Sequence, residues 1–186
     1  MPLVLSLFPG IGLLDMAFEA GGFCVVRGPD LLWGGDVHAF HPPAGRFDGV
    51  IGGPPCQRFS RLQHLRRHVM GDAWVEPPDL IPEYCRVVGE AQPAWFLMEN
   101  VPEAPLPEVT GYTVQAQLVR DVACGGETRR LRRFSFGASA GAGCGRFFVP
   151  GEALCRPDPE PTVCASGGGR ATPVAYGGSG KPKRTA

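Results

Sequence analysis

A chain of 186 residues is long enough to bury one proper core with a small appendage, and too short for two large domains. Its 18 basic and 18 acidic side chains cancel, which excludes bulk charge as the basis of nucleic-acid binding and leaves that role to a local patch. Seven cysteines, odd in number and with no Cys-x-x-Cys pair, exclude a disulfide framework and a zinc site, and the absence of a long apolar run or of a charged-then-apolar opening leads us to expect a reduced, cytoplasmic setting and no membrane partner.

In chain order, Leu3 to Phe8 is an apolar run of strand length that breaks at Pro9-Gly10-Ile11-Gly12. Leu13 to Ala20 then reads as a helix with Leu14 and Phe18 on one face, ended by Gly21-Gly22. Phe23 to Arg27 and Phe47 to Ile51 are strand candidates, the second closing on Gly52-Gly-Pro-Pro-Cys-Gln57. Leu80 to Glu90 carries Leu80, Tyr84, Val87 and Val88 at helical spacing, and Trp95 to Met98 is a strand that ends at Glu99-Asn100-Val101. Thr113 to Asp121 is compatible with strand or helix, and Arg132 to Phe136 reads as a strand. Beyond Gly137 the pattern fades into denser glycine, alanine and proline with a basic end at Lys181-Pro-Lys-Arg184. Strands alternating with helices imply an α/β fold with a mostly parallel sheet, in which ligands sit beyond the carboxyl ends of the strands. That rule places the loops at Pro9–Gly12, Pro54–Gln57 and Glu99–Val101 on one rim.

Four features on that rim carry chemistry. The Phe8-Pro-Gly-Ile-Gly12 turn lets backbone N–H groups approach a ligand, though a short Gly-x-Gly is also a common tight turn. Cys56 follows two prolines that each fix φ and remove a donor, a setting suited to a nucleophile held in place; the alternative is a small buried hydrophobe. Glu99, directly after an apolar strand, is placed to be partly buried and to hold a proton, or else to serve as a cap or loop ion pair. In the run Arg129-Arg130-Leu131-Arg132-Arg133, an extended backbone puts Arg130 and Arg132 on one face and Arg129 and Arg133 on the other; a solvated face is the plain alternative to a phosphate-binding one.

Taken in order, Leu5-Ser-Leu-Phe-Pro-Gly-Ile-Gly-Leu-Leu-Asp15, Gly35-Asp36-Val37, Gly53-Pro-Pro-Cys-Gln57 with Phe59-Ser60, Pro93 with Glu99-Asn-Val101, Gly111-Tyr112 and Arg130-x-Arg132-x-Phe134-x-x-Gly137 resemble the motifs of the DNA cytosine-5 methyltransferase family. The resemblance runs from residue 3 to 137 and implies a Rossmann-like, S-adenosylmethionine-dependent methyltransferase fold. It implies S-adenosylmethionine as cofactor, a cytosine flipped out of double-stranded DNA as substrate, and no metal. Catalytic roles then fall to Cys56, Glu99, Asn100, Arg130 and Arg132. Phe8, Gly10, Gly12, Asp30, Asp36, Pro54 and Leu80 are the cofactor side, and Gln57, Ser60, Arg130 and Arg132 the DNA side. Residues 1–137 are read as the catalytic domain and 138–186 as a reduced target-recognition segment with a tail; Pro157 to Ser166 resembles the family's approach to its recognition region. The alternatives are one half of a split enzyme, with a second polypeptide supplying recognition, or a nucleic-acid-binding pseudoenzyme.

Overall fold

The computed structural model describes residues 1–60, 62–141, 164–165 and 173–174. Its first strand is β1 (Leu3–Leu7), apolar but for Ser6 because it is paired on both edges and covered on both faces. After it come α1 (Leu13–Ala20), β2 (Cys24–Arg27), β3 (Gly49–Gly52), α2 (Leu62–Met70), α3 (Ile81–Ala91), β4 (Trp95–Asn100), β5 (Tyr112–Arg120) and β6 (Leu131–Ser139), with a two-stranded ladder of β7 (Cys164–Ala165) and β8 (Pro173–Val174). The main sheet runs β2-β1-β3-β4-β6-β5. β2, β1, β3 and β4 are parallel, and β6 is antiparallel to β4. The strand order reverses between β1 and β3, the place where open α/β sheets part their loops to form a crevice.

Each face of the sheet has its own core. On one, Tyr84, Val87, Val88 and Ala91 of α3 pack fully buried against Leu5, Leu7, Val50, Phe96 and Met98. Tyr84 Oη also donates to Leu97 O at 2.9 Å, so this buried hydroxyl is satisfied. On the other face Val4, Ile51 and Leu97 meet Leu14 and Phe18 of α1, and Phe18, Trp95 and Phe136 form a stacked row with centroids 5.9 and 6.2 Å apart. Asp79 Oδ1 accepts from Ile81 N at 2.9 Å and Pro82 follows in the first turn, which together start α3 at Ile81.

Most expected elements appear within two residues of their expected bounds. β4 is longer than expected, because Glu99 and Asn100 are paired with Phe134 and Arg133 of β6; they are the last two residues of the strand rather than the loop after it. The ambiguous segment at 113–121 is strand β5. Helix α2, over 62–70, was not expected, although Leu62, Leu65 and Val69 carry helical spacing. β6 begins at Leu131, so the alternation argument holds for Arg132 and Arg133 alone and does not pair Arg130 with Arg132.

The chain divides into two compact units, Met1–Leu118 with Arg132–Phe148, and Val119–Leu131 with Val149–Ala186. In the second, Asp121 Oδ2 accepts from Thr128 N at 3.0 Å and from its hydroxyl, closing the turn that leads to Arg130. Most of residues 138–186, including the basic end and all of Pro157 to Ser166 but Cys164 and Ala165, lies outside the described residues. Among the described residues no helix is long and apolar enough to cross a membrane.

Candidate active site

β3 delivers the Gly53-Pro-Pro-Cys56 segment to the carboxyl rim, and β4 delivers Glu99 and Asn100 beside it. The two are joined by a side chain. Asn100, 1% exposed, donates Nδ2–H to Pro54 O at 3.2 Å and accepts Val101 N–H on Oδ1 at 2.8 Å. Its amide thus uses a donor and an acceptor at once, fixing the proline pair against the end of β4. Gly53 lies in the same close space: a Cβ there would stand 3.3 Å from Glu99 Oε2. Past the prolines, Cys56 O accepts from both Phe59 N and Ser60 N at 3.0 Å, so the chain turns directly after the cysteine. Cys56 is half-buried at the margin of the α3-side core. Cys85, packed against the same core, has its thiol pushed up by burial, which disfavours the thiolate.

Glu99 does not stand alone. Arg132 Nε donates to its Oε1 at 2.8 Å, with each side chain about a quarter exposed (26% and 25%). Arg132 can reach Glu99 because β6 lies beside β4. Arg130 belongs to the second compact unit and is exposed there.

A cavity of about 690 Å³ opens at the crevice, with Phe8, Gly10, Asp30, Asp36, Gln57 and Leu80 in its wall along with Gly53 and Pro55. Asp30 Oδ2 accepts Gly10 N–H and Oδ1 accepts Leu32 N–H, both at 2.8 Å, so this carboxylate pins the glycine turn to the segment after β2. Asp36 Oδ1 accepts His38 N–H at 2.9 Å and caps the 3₁₀ turn Val37–Ala39. Phe8, a non-glycine at φ 54, and Gly10, also at φ 54, bend the chain out of β1 around the mouth. Two expected cofactor residues are not in the wall. Gly12 is at φ 83, starts α1 and leaves room for Arg27, while Pro54 is buried and presents its carbonyl to Asn100. Gln57, expected on the DNA side, is a wall residue. The pocket thus offers apolar surface from Leu31, Leu32, Val37 and Leu80, two carboxylates and a glycine turn. Those features fit a nucleoside-sized molecule carrying positive charge.

Two clusters escaped the sequence reading. Asp15, fully buried in the first turn of α1, accepts from Ser6 Oγ and from Arg27 Nε at 2.9 Å, stitching β1, α1 and β2 below the glycine turn. An acid at the first turn of a helix was the available signal; its partners, 9 and 12 residues away, were not. The second is a group of charged side chains around Arg86, taken up below.

The family described as C-5 cytosine-specific DNA methylase matches residues 35–144. The type II methyltransferase M.NgoPII of Neisseria gonorrhoeae is 33% identical over 117 residues, which cover 53% of this chain and 33% of that protein. M.HgiDI of Herpetosiphon aurantiacus is 29% identical over 170 residues, 74% of this chain and 52% of that one. The solved structure of Spodoptera frugiperda DNMT2, a mutant, superposes with a TM-score of 0.55 at 16% identity, covering 79% of this chain and 53% of the other. The chain thus spans between a third and about a half of the length of these relatives. With that match over more than half its residues, on a Rossmann-like α/β sheet of the methyltransferase kind, the chain belongs to the C-5 cytosine-specific DNA methylase family.

Proposed function

We propose that the chain transfers a methyl group from S-adenosylmethionine to carbon 5 of a cytosine flipped out of duplex DNA, using Cys56 as covalent nucleophile. One observation carries the reading: the Cys56 turn is tied to β4 beside the Glu99–Arg132 pair, and its neighbours Pro55 and Gln57 stand in the wall of the cavity. A nucleophile, a charged pair and a nucleoside-sized cavity thus share one rim. The chemistry accounts for each part. Carbon 5 of cytosine is a weak nucleophile, and addition of the Cys56 thiolate to carbon 6 converts the ring to an enamine that is a strong one. Charge that builds toward ring N3 during this addition is met by the Glu99 carboxyl, sharing a proton with N3, while Arg132 holds that carboxyl in register. Once carbon 5 has taken the methyl group, its proton passes to solvent water, and the freed electron pair re-forms the C5–C6 double bond and expels Cys56 as thiolate. Bound in the cavity, S-adenosylmethionine supplies the methyl group as an electrophile on a sulfonium. Asp36 and Leu80, in the cavity wall, are assigned to its adenine and Gly10 to its amino-acid end, while Asp30 secures the turn. Asn100 positions the Cys56 turn. Arg130, and Ser60 at the end of the turn, are assigned to the nucleotide and its phosphates, contacts needed to offset the few kcal/mol of unstacking.

The test is incubation with labelled S-adenosylmethionine and mixed-sequence DNA, followed by sequencing of the modified positions. Methylated carbon 5 is expected at a defined sequence, and none with Cys56→Ser.

A second reading, one half of a split enzyme, is favoured by the surface beside the cavity. Ile11 (79%), Leu13 (66%) and Trp33 (73%) are largely exposed there, with Met16, Leu31 and Leu32. Trp33 Nε1 donates to Gly10 O at 3.2 Å, so the patch adjoins the glycine turn. So much apolar surface calls for cover. The occupant we assign is polypeptide equivalent to the length that the relatives carry and this chain does not match. Transfer that appears only when the unmatched part of a relative is added as a separate polypeptide would select this reading.

A further inference from the structure

The cavity wall formed by Asp36, Val37 and His38 is neither helix nor sheet; it is one 3₁₀ turn, Val37–Ala39, between loops. Such a segment has no ladder to hold it. Besides the Asp36 cap and the burial of Val37 in the core, it is held by a side chain from α3. Arg86 Nη2 donates to Val37 O at 2.7 Å and to Phe40 O at 3.2 Å, and Nη1 donates to Phe40 O at 3.2 Å. Val37 O, which also accepts Phe40 N–H at 3.1 Å, and Phe40 O are thus both served by one guanidinium. The guanidinium is itself oriented from both sides. Its Nε donates to Glu83 Oε2 at 2.7 Å and its Nη1 to Glu90 Oε1 at 2.8 Å, both from the same helix. These carboxylates also reach the wall segment: Glu83 Oε1 lies 3.5 Å from His38 Nδ1, and Glu90 Oε2 lies 3.0 Å from His41 Nδ1. Five side chains therefore close a ring between α3 and residues 37–41, with Arg86 at its centre and about a quarter exposed (27%).

Another part of the cavity wall lies at the start of the same helix. Leu80 precedes α3 and lies in the wall, six residues before Arg86. One helix thus carries Leu80 at its N-terminal boundary and reaches residues 37–40 through Arg86. We infer that Arg86 is a positioning residue for cofactor binding: it sets the separation between Leu80 and the Asp36–His38 wall. The inference rests on the reading of the cavity as the S-adenosylmethionine site. Only a planar fork can meet two carbonyls and two carboxylates together; lysine carries the same charge as a point. Arg86 is too far down α3 to be assigned to the reacting atoms, so its loss acts on binding and leaves chemistry at saturation alone.

The experiment compares wild type with Arg86→Lys and Glu90→Gln, using S-adenosylhomocysteine binding by calorimetry, S-adenosylmethionine kinetics, and amide exchange at residues 37–41. Arg86→Lys is expected to weaken binding by about tenfold or more, the loss of roughly one charge-assisted hydrogen-bond set. KM should rise in parallel with kcat held within about twofold. Exchange at 37–41 should quicken with no ligand present, and Glu90→Gln should show the same pattern more weakly. Unchanged binding in Arg86→Lys overturns the inference. So does a fall in kcat and thermal stability together with normal exchange at 37–41, since that marks a general structural role. Failure of wild type to bind S-adenosylhomocysteine removes the cofactor reading and this inference with it, a result distinct from wild-type binding that Arg86→Lys leaves intact.

Discussion

At the scale of single residues the site is a set of pairs, each side chain acting through another. Glu99 has Arg132, and the Cys56 turn has Asn100. The consequence for Glu99 is specific. A neutral amide at this position keeps the shape but cannot share a proton with ring N3, so Glu99→Gln should slow methyl transfer by about two orders of magnitude or more while cofactor binding stays near wild type. Single-turnover kinetics beside calorimetry separates the two effects. Asn100 is different, because it touches no reacting atom and is almost wholly buried. Asn100→Ala leaves Pro54 O and Val101 N without their partner, at a cost of about 1–3 kcal/mol measurable in a urea titration. It should also slow transfer, since the Cys56 turn loses its tether. Cys56, Glu99 and Asn100 were legible in the sequence because each stands at the end of an apolar run, where a fold rule alone puts it on the rim. The Glu99–Arg132 pairing was not. It depends on β6 returning antiparallel beside β4, a long-range register that no local pattern carries.

At the scale of elements, α3 has two duties. Its buried face supports the sheet, and its exposed shoulder holds the wall segment through Arg86. Arg86 and, secondarily, His41 hold the Glu90 carboxyl below its ordinary range. A carboxylate with a lowered folded value stabilises the folded state above its ordinary value and loses that contribution as pH falls through the lowered one. Fixation of residues 37–41 should therefore loosen on the acid side, below the usual carboxylate range. Glu90→Gln should flatten that acid limb in amide exchange followed against pH. A limb equally steep in wild type and variant would show that the ring does not depend on Glu90. The periodicity of α1 and α3 made both helices readable, since each lays one apolar stripe on the sheet. The ring around Arg86 stayed hidden because Glu83, Arg86 and Glu90 read as ordinary i,i+3 and i,i+4 surface pairs. Only the fold brings the Val37 and Phe40 carbonyls under them.

At the scale of the whole molecule, the parallel order β2-β1-β3-β4 brings three loops to one rim, and the reversal at β1 and β3 opens the cavity between two of them. That architecture followed from the alternation of apolar runs and helical stripes. The length of β4 and the choice of strand for β5 did not, as both are decided by pairing partners. The exposed apolar surface beside the glycine turn was equally unreadable, because an apolar residue in sequence says nothing of whether a neighbour covers it. The central claim, that Cys56 is the nucleophile of this rim, is tested most directly by trapping. Protein is incubated with S-adenosylmethionine and duplex DNA carrying 5-fluorocytosine, whose carbon 5 has no proton to lose, and the linked peptide is mapped by mass spectrometry. A stable adduct on Cys56, absent from Cys56→Ser, is the expected result. An adduct mapped to another residue, or methyl transfer to ordinary cytosine undiminished by Cys56→Ser, would contradict it.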